Sequence, residues 1–469
     1  MTATVSTPGQ VRHRAPQPRR AQRWCADVAG SSAMASFVVV LALWVGNRGI
    51  QELGSGGSTT LTSLGRLTGL LAADLMLLQV LLMARIPWVE RSYGQDALAR
   101  RHRWFGFTSF WLLAAHIVLI TLGYAVSSGT GLVAQAWSLV TTYPGMLLAT
   151  AAVGLIIAVV ATSIRAARRR LRYESWHLVH LYAYLGVGLG LPHQIWTGAD
   201  FVGTPWARAY WWTLYAAALG GVLVFRLGLP VWRSLRHRIV VERVVREAPG
   251  VVSVQLRGRD LHRLPVRAGQ FFLWRFLDGP GWSRAHPYSL SAPPHGDRLR
   301  ITIRDLGDGS ARAASLRPGT RVVIEGPYGA MTATAPARRP VVMFAAGIGI
   351  TAIRALLEDP DIAGRPVTLL YRTRDRHDAV FAGEIAALTE RQPLHVVYLE
   401  GPRPTRFPSF LPAHLAGASD VAGLRHLVPD VSERDAFLCG PVPWMRPVRQ
   451  ALLAAGTPRE RIHAEEFAW

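Results

Sequence analysis

Six apolar stretches dominate residues 32–232, and each is long enough to cross the hydrocarbon core of a bilayer as a helix. The first is short, and the fifth is interrupted by histidines and glycines. Only helices and closed barrels span lipid, because every backbone polar group must be satisfied within the protein. The sequence therefore predicts a six-helix transmembrane bundle that has the lipid bilayer as a partner, with spans at approximately 32–48, 66–87, 104–126, 144–163, 176–195 and 209–229.

Arginine is distributed unevenly around these stretches. The formal net charge is +22, and all 52 basic residues are arginine. A charge of this size first suggests nucleic acid, but arginines beside apolar stretches are typical of topology signals. They concentrate in the N-terminal tail (1–31) and in segments 84–103, 164–173 and 233–238. The positive-inside rule then predicts a multi-pass protein of the cell (plasma) membrane with both termini in the cytoplasm and no nucleic-acid partner.

Four histidines accompany the third and fifth stretches: His102 and His116, then His180 and His193. Ionisable groups are costly in hydrocarbon and rarely lack a partner there. The topology pairs His102 with His180 on the inner side and His116 with His193 on the outer side. Fourteen residues between His102 and His116 return to nearly the same helix face after a rise of about 21 Å. This spacing suits two stacked haems, each held by two histidines.

The fifth stretch fits this pattern less well. Thirteen residues separate His180 from His193, which misses a common face by about 140° in an ideal helix. Glycines and Pro192 lie between them, and such residues permit kinks and local rewinding. His177 is a rival inner ligand. Alternatively, the histidines hydrogen-bond to neighbouring helices or line a proton path, as in a channel or transporter with a regulatory nucleotide-binding domain.

Residues 238–469 have the pattern of a soluble protein. Residues 238–335 alternate as strands do and predict a small antiparallel β-barrel domain. Residues 338–469 alternate strands with helices, which predicts a Rossmann-like α/β domain with a ligand at the carboxyl ends of its strands. The predicted fold class is thus a multi-domain membrane protein: a six-helix bundle, then a β-barrel, then an α/β domain.

Two strand-to-helix turns are candidates for nucleotide binding. Gly347 and Gly349 lie at one, where glycine lets a phosphate approach backbone N–H groups. The second turn is Cys439-Gly440-Pro441. Another strand is followed by Arg372 and Arg374, which either hold a 2′-phosphate, favouring NADPH over NADH, or are solvated surface charges. With only Cys25 and Cys439 in the chain, an iron–sulfur or zinc site is not expected.

The order of several short motifs resembles the NADPH oxidase/ferric reductase superfamily, in a bacterial type without a calcium-binding extension. The motifs are HPYS (286–289), GPYG (326–329), AAGIGIT (345–351), LCGP (438–441) and a terminal EEFAW. The resemblance spans nearly the whole chain, from a ferric-reductase-like transmembrane domain to a ferredoxin–NADP reductase-like FAD module. Segment 173–180 resembles the family's approach to its inner haem ligand, which favours His180 over His177. One departure is Ala346, where the family has glycine.

The resemblance implies roles for individual residues. Tyr288 stacks on the isoalloxazine ring, Ser289 hydrogen-bonds near flavin N5, and His286 stands near the flavin phosphates. Gly309 and Ser310 approach the FAD pyrophosphate. The remaining expected cofactor-binding residues are Pro287, Thr351 and the glycine turns named above. The expected catalytic residues are Ser289, Cys439 near the nicotinamide, and Phe467, which covers the flavin, with Trp469 as its rival.

The expected function is electron transfer across the membrane. The resemblance implies that cytoplasmic NADPH or NADH reduces FAD, and that two b-type haems pass electrons to an acceptor on the outer face. The acceptor is open: a ferric complex, O₂, a quinone or a partner redox protein. Because both axial positions of each iron are filled, the acceptor is expected to react at the haem edge. Arg66 and Arg208 attract an anionic acceptor, pair with haem propionates, or anchor the helices at the interface.

Overall fold

The computed structural model describes residues 19–168, 170–171, 173–279, 281–333, 339–405, 407–416 and 419–466. These residues form two compact units. The helical unit comprises Trp24–Val89 and Asp96–Arg226, and the C-terminal unit comprises the described residues before Trp24, Glu90–Gln95 and the chain from Leu227 onward.

The helical unit contains long helices connected by short ones. Their bounds are α1 Arg19–Gly46, α2 Gly49–Leu53, α3 Gly57–Met83, α4 Pro87–Tyr93, α5 Gln95–Ser128, α6 Leu132–Thr142, α7 Met146–Ser163, α8 Arg165–Arg168, α9 Tyr173–Thr197, α10 Ala199–Val202 and α11 Pro205–Gly221. A π-helical segment, Val222–Gly228, continues α11 into α12, Leu229–His237, which belongs to the C-terminal unit. Every predicted span thus falls on a helix.

In the described part of the chain, five helical segments are long and apolar enough to cross a membrane: Trp24–Gly46, Gly57–Met83, Ala97–Ser128, Met146–Ser163 and Pro205–His237. Helix α9, the predicted fifth span, has 25 residues but is not among them. Its histidines, Gln194 and Pro192 lower its mean hydropathy. The chain is a membrane protein, and the count of six spans stays a prediction.

The helical unit is apolar both inside and outside. Val40 and Trp44 of α1 pack against Leu77 of α3 and Trp211 of α11 in its core. Large apolar side chains also cover the outer surface, among them Trp111, Val133, Leu147 and Leu219. Exposed apolar surface of this extent is typical of a face that meets lipid.

The C-terminal unit begins with two antiparallel sheets, of strand order β1-β2-β5 and β4-β3-β6. Isolated bridges between Val240 and Arg321 and between Leu290 and Ile301 link them. Trp274, Leu256 and Ile301 are fully buried in one shared core. The predicted antiparallel domain is present, while its closure into a barrel stays a prediction. The strands are β1 Val240–Ala248, β2 Val251–Arg257, β3 Phe271–Phe276, β4 His286–Ser289, β5 Arg298–Arg304 and β6 Val322–Tyr328.

The unit ends with a five-stranded parallel sheet of order β11-β10-β7-β8-β9, as the alternating pattern predicts. Because β7 and β10 are neighbours, the turns that follow them lie side by side at the carboxyl edge, where α/β folds bind ligands. The strands are β7 Val341–Ala346, β8 Val367–Arg372, β9 Leu394–Leu399, β10 Asp435–Gly440 and β11 Ile462–Glu466. The helices are α13 Asp308–Ala311, α14 Ile350–Leu357, α15 Ala382–Thr389, α16 Asp420–Leu427 and α17 Val442–Ala454.

An ionic bridge joins the antiparallel and parallel parts of this unit. The two Nη atoms of Arg300, on β5, donate to the carboxylate of Glu384, on α15, at 2.8 and 2.9 Å. Arg354 Nε, on α14, donates to the same carboxylate at 2.5 Å. Burial opposes ionisation of Glu384, but the hydrogen bond from Arg300 and the two positive charges outweigh it, and the pKa of this carboxyl lies below its ordinary value. We call these three residues the Glu384 bridge.

Candidate functional site

The four predicted histidines meet in two facing pairs within the helical unit. The ring centroids of His102 and His180 are 5.9 Å apart, and those of His116 and His193 are 6.5 Å apart. An iron bound by two imidazole nitrogens, at about 2 Å each, holds the two ring centroids roughly 6.3 Å apart. Each pair therefore has the separation that a metal held between its two rings requires.

Helix α3 fixes the two histidines of α5. His116 Nδ1 donates to the backbone carbonyl of Gly65 at 2.7 Å, and His102 Nδ1 contacts that of Gln79 at 3.3 Å. These carbonyls are 14 residues apart, as are the two histidines, so both helices advance about 21 Å between the two levels. A ring whose Nδ1 is held in this way presents Nε2 as its free ligand atom, which is the usual arrangement of metal-binding histidines.

Hydroxyl groups fix the two histidines of α9. Nδ1 of His193 lies 2.8 Å from Thr197 Oγ1, and Nδ1 of His180 lies 3.3 Å from Ser163 Oγ. The 13-residue spacing does not prevent either pairing. Pro192, immediately before His193, lies inside the helix and has no N–H to continue the backbone ladder.

Glycine at position 69 makes room for His116. A Cβ atom at Gly69 would lie 2.5 Å from Nδ1 of His116, closer than two such atoms approach. The ring is therefore packed directly against the backbone of α3. No local sequence signal identified this glycine, because its partner lies on another helix.

The donor atoms of these pairs match a haem better than a bare metal ion. In the described ranges, no group of three or more histidine, cysteine, aspartate or glutamate side chains forms a metal-ion site. Each pair instead supplies two imidazoles on opposite sides. A haem iron already has four ring nitrogens and takes two axial ligands, so the residues present fit this group.

Arg66 does not act as an isolated cation. Its Nε and Nη2 donate to the two carboxylate oxygens of Asp200, both at 2.8 Å, and its Nη1 donates to Glu52 Oε2 at 2.7 Å. Asn47 Nδ2 also donates to Asp200, at 2.7 Å. One guanidinium thus faces two carboxylates, and this arrangement does not attract an anion. Arg208 is exposed.

In the C-terminal unit, the HPYS strand borders a cavity of about 220 Å³. The His286 and Tyr288 rings lie nearly parallel there, with centroids 5.9 Å apart and 12° between the planes. Gly309 is in close contact, because a Cβ atom at this position would lie 2.5 Å from His286 Cε1. The structure thus brings together three predicted residues from two separate segments.

Two arginines that the motifs did not identify also line this cavity. They are Arg284, two residues before the HPYS strand, and Arg312, whose Nη2 lies 3.1 Å from Asp278 Oδ2. The two guanidinium groups and the His286 ring offer N–H donors of the kind that bind a diphosphate, with Asp278 offsetting the charge of Arg312. The signal was available in the sequence as arginines flanking both predicted flavin segments. Ser310 has a local role: its Oγ accepts a hydrogen bond from Leu306 N at 2.7 Å.

Ser289 and Tyr288 alternate along β4. Ser289 Oγ is buried without a hydrogen-bond partner, which is costly unless a ligand supplies one. Burial raises the pKa of Tyr288 to about 12, so its phenol stays neutral. Trp274 Nε1 donates to the Tyr288 carbonyl at 2.9 Å and fixes the strand. Pro287 between them lies opposite Leu273 on β3.

The glycines of the nucleotide turns have different structural roles. Gly347 adopts a φ of +55°, which favours glycine. A Cβ atom at Gly349 would lie 2.3 Å from the Cys439 carbonyl oxygen, and one at Gly440 would lie 3.0 Å from Ala346 Cβ. Gly349 and Gly440 therefore let the two turns pack together.

Two more predicted residues flank these turns. Thr351 Oγ1 donates to the Ile348 carbonyl at 2.9 Å and so stabilises the first turn of α14. Pro441 is exposed and precedes the first residue of α17.

Cys439 lies in the core rather than at a surface. Its exposed fraction is 0%, and burial, followed by the charge of Glu465, raises the pKa of its thiol well above the ordinary value. In this conformation the thiol is neutral and shielded from a ligand. Phe467 and Trp469 lie outside the described residues.

The two arginines after β8 are in different environments. Arg372 is 7% exposed, and its guanidinium donates to the carbonyls of Thr373, Leu399 and Gly401. Arg374 is exposed at the carboxyl edge of the sheet. Of the two, Arg374 is the one whose charge is accessible to a phosphate.

Comparison with known proteins gives two kinds of match. Residues 68–191 match the family described as ferric reductase like transmembrane component. The chain is also 33% identical, over 213 residues, to the ferredoxin reductase component of 3-ketosteroid-9-alpha-monooxygenase from Mycolicibacterium smegmatis, covering 44% of this chain and 56% of that protein. It is 28% identical over 282 residues to a flavohemoprotein from Xylella fastidiosa, covering 56% of this chain and 67% of that one.

Solved structures give a similar list of relatives. The ferredoxin reductase in carbazole 1,9a-dioxygenase aligns with a TM-score of 0.40 and 23% identity, covering 49% of this chain and 69% of that one. A ferredoxin NADP⁺ reductase from Neisseria gonorrhoeae aligns with a TM-score of 0.40 and 21% identity, covering 49% and 97%. The chain spans 56–64% of the length of the first three curated relatives. The expected combination of a ferric-reductase-like transmembrane domain and a ferredoxin-reductase-like module is confirmed.

Proposed function

We propose that this chain, a ferric-reductase-like transmembrane component followed by a ferredoxin-reductase-like module, passes electrons from NAD(P)H through FAD and two b-type haems to an acceptor across the membrane. The two facing histidine pairs carry the proposal. The centroid separations of 5.9 and 6.5 Å are close to those of two imidazoles bound to one iron, which supports the proposal.

The helices keep each imidazole ready to bind. The carbonyls of Gly65 and Gln79 and the hydroxyls of Ser163 and Thr197 occupy the four Nδ1 atoms. This support fixes the ring orientation and leaves Nε2 as the ligand atom. A haem held in this way supplies reversible one-electron transfer and has no open position for O₂. The acceptor therefore has to be reduced without binding to iron.

The C-terminal unit supplies the residues for a flavin and a dinucleotide. His286, Arg284 and Arg312 offer N–H donors to the cavity, while Tyr288 offers a flat neutral face and Ser289 an unused hydroxyl group. FAD, when bound, accepts a hydride from NAD(P)H and releases electrons one at a time, which amino acids cannot do. The paired turns after β7 and β10 would bind the dinucleotide, with Arg374 as the candidate partner of a 2′-phosphate.

The direction of transfer follows from the arginine distribution. The positive-inside rule, applied to the arginine-rich connections, supports a cytoplasmic C-terminal unit, so electrons would enter at the His102–His180 pair and leave at the His116–His193 pair. Near the exit level, Arg66 is paired with Glu52 and Asp200, whereas Arg208 is exposed. The charges at this end therefore do not choose between a ferric complex, O₂, a quinone and a redox partner.

The experiment uses the full-length chain purified in detergent. On anaerobic addition of NADPH, flavin absorbance should bleach and the α band of a reduced b-type haem should appear, with two haems and one FAD per chain. The double variant H102A/H116A is the matched control, which should bind FAD and oxidise NADPH with an artificial acceptor yet show no haem band.

A chain that binds no haem would overturn the proposal in favour of a histidine-lined proton channel or transporter. To identify the acceptor, the rate of NADPH consumption is measured in the presence of a ferric chelate, a quinone or O₂. Reduction of O₂ is followed as superoxide dismutase-sensitive reduction of cytochrome c. Failure with all three soluble acceptors would favour a partner redox protein.

A further inference from the structure

Asp74 is a carboxylic acid in the interior of a membrane-spanning helix. It lies on α3 with an exposed fraction of 0%, among the apolar core side chains contributed by α1, α3 and α11. Ionisable residues at such positions are rare, because an uncompensated charge in this environment is costly. Neither the histidine pairs nor the proposed electron path uses this residue.

The contacts of Asp74 are all neutral. Ser36 Oγ, on α1, donates to its Oδ1 at 2.6 Å, and Tyr210 Oη, on α11, donates to the same oxygen at 2.7 Å. The two hydroxyl oxygens are 2.8 Å from each other. Oδ2 is buried and has no hydrogen-bond partner, and Asp74 forms no ion pair with any residue in the described ranges.

Other ionisable or charged side chains on the helices around Asp74 are engaged elsewhere. Glu52 and Asp200 both form ion pairs with Arg66. Tyr215 donates to Gln194, Arg226 donates to the Met83 carbonyl, and the histidines are held as described above. Asp27 on α1 and Arg208 on α11 are exposed. Tyr210 is thus the only ionisable group in this described set that contacts Asp74.

A bare carboxylate at this position would be poorly compensated. Removing a carboxylate from water costs several kcal/mol even after relaxation, and a second charge is normally needed to offset it. Both hydroxyl groups contact Oδ1, so Oδ2 has no hydrogen-bond donor to compensate a negative charge. A proton on the carboxyl group removes the charge. On Oδ1 it also supplies the third hydrogen that the three mutual contacts of Asp74 Oδ1, Ser36 Oγ and Tyr210 Oη require.

The depth of Asp74 places it between the two histidine levels. Along α3 it is nine residues from Gly65 and five from Gln79, which is about 14 Å and 8 Å of helix rise. Nine residues also turn it to the opposite face, toward α1 and α11. At a distance of roughly 12 Å and an effective dielectric constant of about 20, one added electron at either histidine level would change the proton affinity of Asp74 about tenfold.

We propose that the Asp74–Ser36–Tyr210 cluster is a proton-binding site coupled to the electrons that would be held at the two proposed haem sites. An electron at either site would strengthen proton binding to the Asp74 carboxylate, and its departure would weaken it. The proton comes from water and returns to water, and the electron comes from NAD(P)H, so both are balanced. The coupling rests on the proposed function, whereas the proton site itself does not.

The proton site is tested by infrared spectroscopy of the full-length protein in detergent. A protonated carboxyl group gives a carbonyl stretch that shifts on exchange into D₂O, and this band should be present at neutral pH in the wild type and absent in D74N. The exposed aspartate of α1 provides the control, since D27N should keep the band. The frequency of the Asp74 carbonyl band should shift in S36A and in Y210F. A spectrum of D74N identical to that of the wild type would overturn the proton site.

The coupling is tested by redox titration of the haems at several pH values. The midpoint potentials of the wild type should fall as the pH rises through the range in which the Asp74 band disappears, and those of D74N should stay constant over that range. Equal pH dependence in both proteins would overturn the coupling. If the infrared band is present and no haem is bound, the proton site stands and the proposed electron transfer fails, so the two failures are distinguishable.

Discussion

His116 donates a hydrogen bond of 2.7 Å to the backbone carbonyl of Gly65, a residue 51 positions earlier in the chain. The contact requires the ring to lie against α3, and the missing side chain at Gly69 provides the space. A backbone carbonyl cannot be removed by a side-chain substitution, so this support is fixed by the helix itself. The hydrogen bond between His116 and Gly65 can therefore be tested by substituting Gly69.

The G69A variant should lose the outer haem. Its added methyl group would lie 2.5 Å from His116 Nδ1 and displace the ring, at a cost of about 1–3 kcal/mol for overpacking. The haem content, measured as the pyridine haemochrome, should fall from two to one per chain. The control is G154A on α7, where a Cβ meets nothing within 4 Å, and it should keep both haems. Two haems in G69A would show that the ring does not need this space.

Replacement of the two neighbouring histidines of α9 distinguishes the rival inner ligands. The ring of His180 faces that of His102 at 5.9 Å, so H180A should lose the inner haem and halve the haem content. H177A should keep both haems, because His177 does not belong to either facing pair. NADPH should still reduce the flavin in H180A, but electrons should not reach the remaining haem. The opposite pattern of haem loss would assign the inner site to His177.

The S289A variant should lose activity without losing stability. Its hydroxyl group is buried and unpartnered, so replacing it with a hydrogen atom should change the free energy of unfolding by at most about 1 kcal/mol. If Ser289 hydrogen-bonds to the flavin, the rate of flavin reduction by NADPH should fall about 100-fold or more, by analogy with the loss of one positioned catalytic group. Stopped-flow absorbance measures this rate, and the melting temperature reports stability. An unchanged rate would exclude Ser289 from the reaction.

The Glu384 bridge should stabilise the C-terminal unit in a pH-dependent way. Its carboxylate is 32% exposed, so E384Q should lower the free energy of unfolding at pH 7 by about 1–2 kcal/mol, less than for a fully buried pair. Because the folded-state pKa is lowered, the stabilisation is present above the unfolded pKa of about 4.3 and is lost as the pH falls through the folded value. The difference between wild type and variant should therefore shrink in acid.

Thermal unfolding followed by FAD fluorescence, from pH 7 to below pH 4, measures this effect. The matched control is E390Q at the end of the same helix, where the side chain is exposed. It should unfold as the wild type does. A difference for E384Q that stayed constant into acid would show that the charge of Glu384 is not its cause.

The choice between NADPH and NADH should depend on Arg374. It is exposed at the carboxyl edge of the parallel sheet, and R374A should raise KM for NADPH about tenfold while leaving KM for NADH unchanged. Arg391 is also exposed but follows α15, before the amino end of β9, so R391A should change neither constant. If R374A changed KM for NADPH and KM for NADH equally, Arg374 would not be the residue that recognises the 2′-phosphate.

The paired histidines could be predicted because their signals are local. A histidine in an apolar helix is conspicuous, and the arginine pattern assigns each one to a membrane side without any knowledge of packing. The 13-residue gap on α9 is unfavourable in an ideal helix, yet each histidine of α9 lies beside its predicted partner on α5. The strand-helix alternation of the C-terminal residues likewise predicted the parallel sheet, because the hydrophobic period and the turn residues are local features of the sequence.

The charged and polar clusters could not be predicted, because their members are far apart in sequence. Arg66 and Asp200 are 134 residues apart, and Asp74 and Tyr210 are 136 apart. Nothing near Arg66 shows that it would be neutralised, so the sequence left open its attraction of an anion. Cys439 illustrates the opposite difficulty: its motif was recognised, but its burial depends on how two turns pack against each other.

The carbonyls of Gly65 and Gln79 have a consequence for how this protein can evolve. Both histidines of α5 are aligned to one uninterrupted length of α3, so a residue inserted between positions 65 and 79 would rotate one support by about 100° relative to the other and shift it by about 1.5 Å. Substitutions along that length leave the alignment intact where the new side chain does not reach a histidine, because the supports are backbone atoms. We therefore expect homologues to keep the number of residues over this part of α3 constant and to vary in side chains mainly at positions other than 69 and 74.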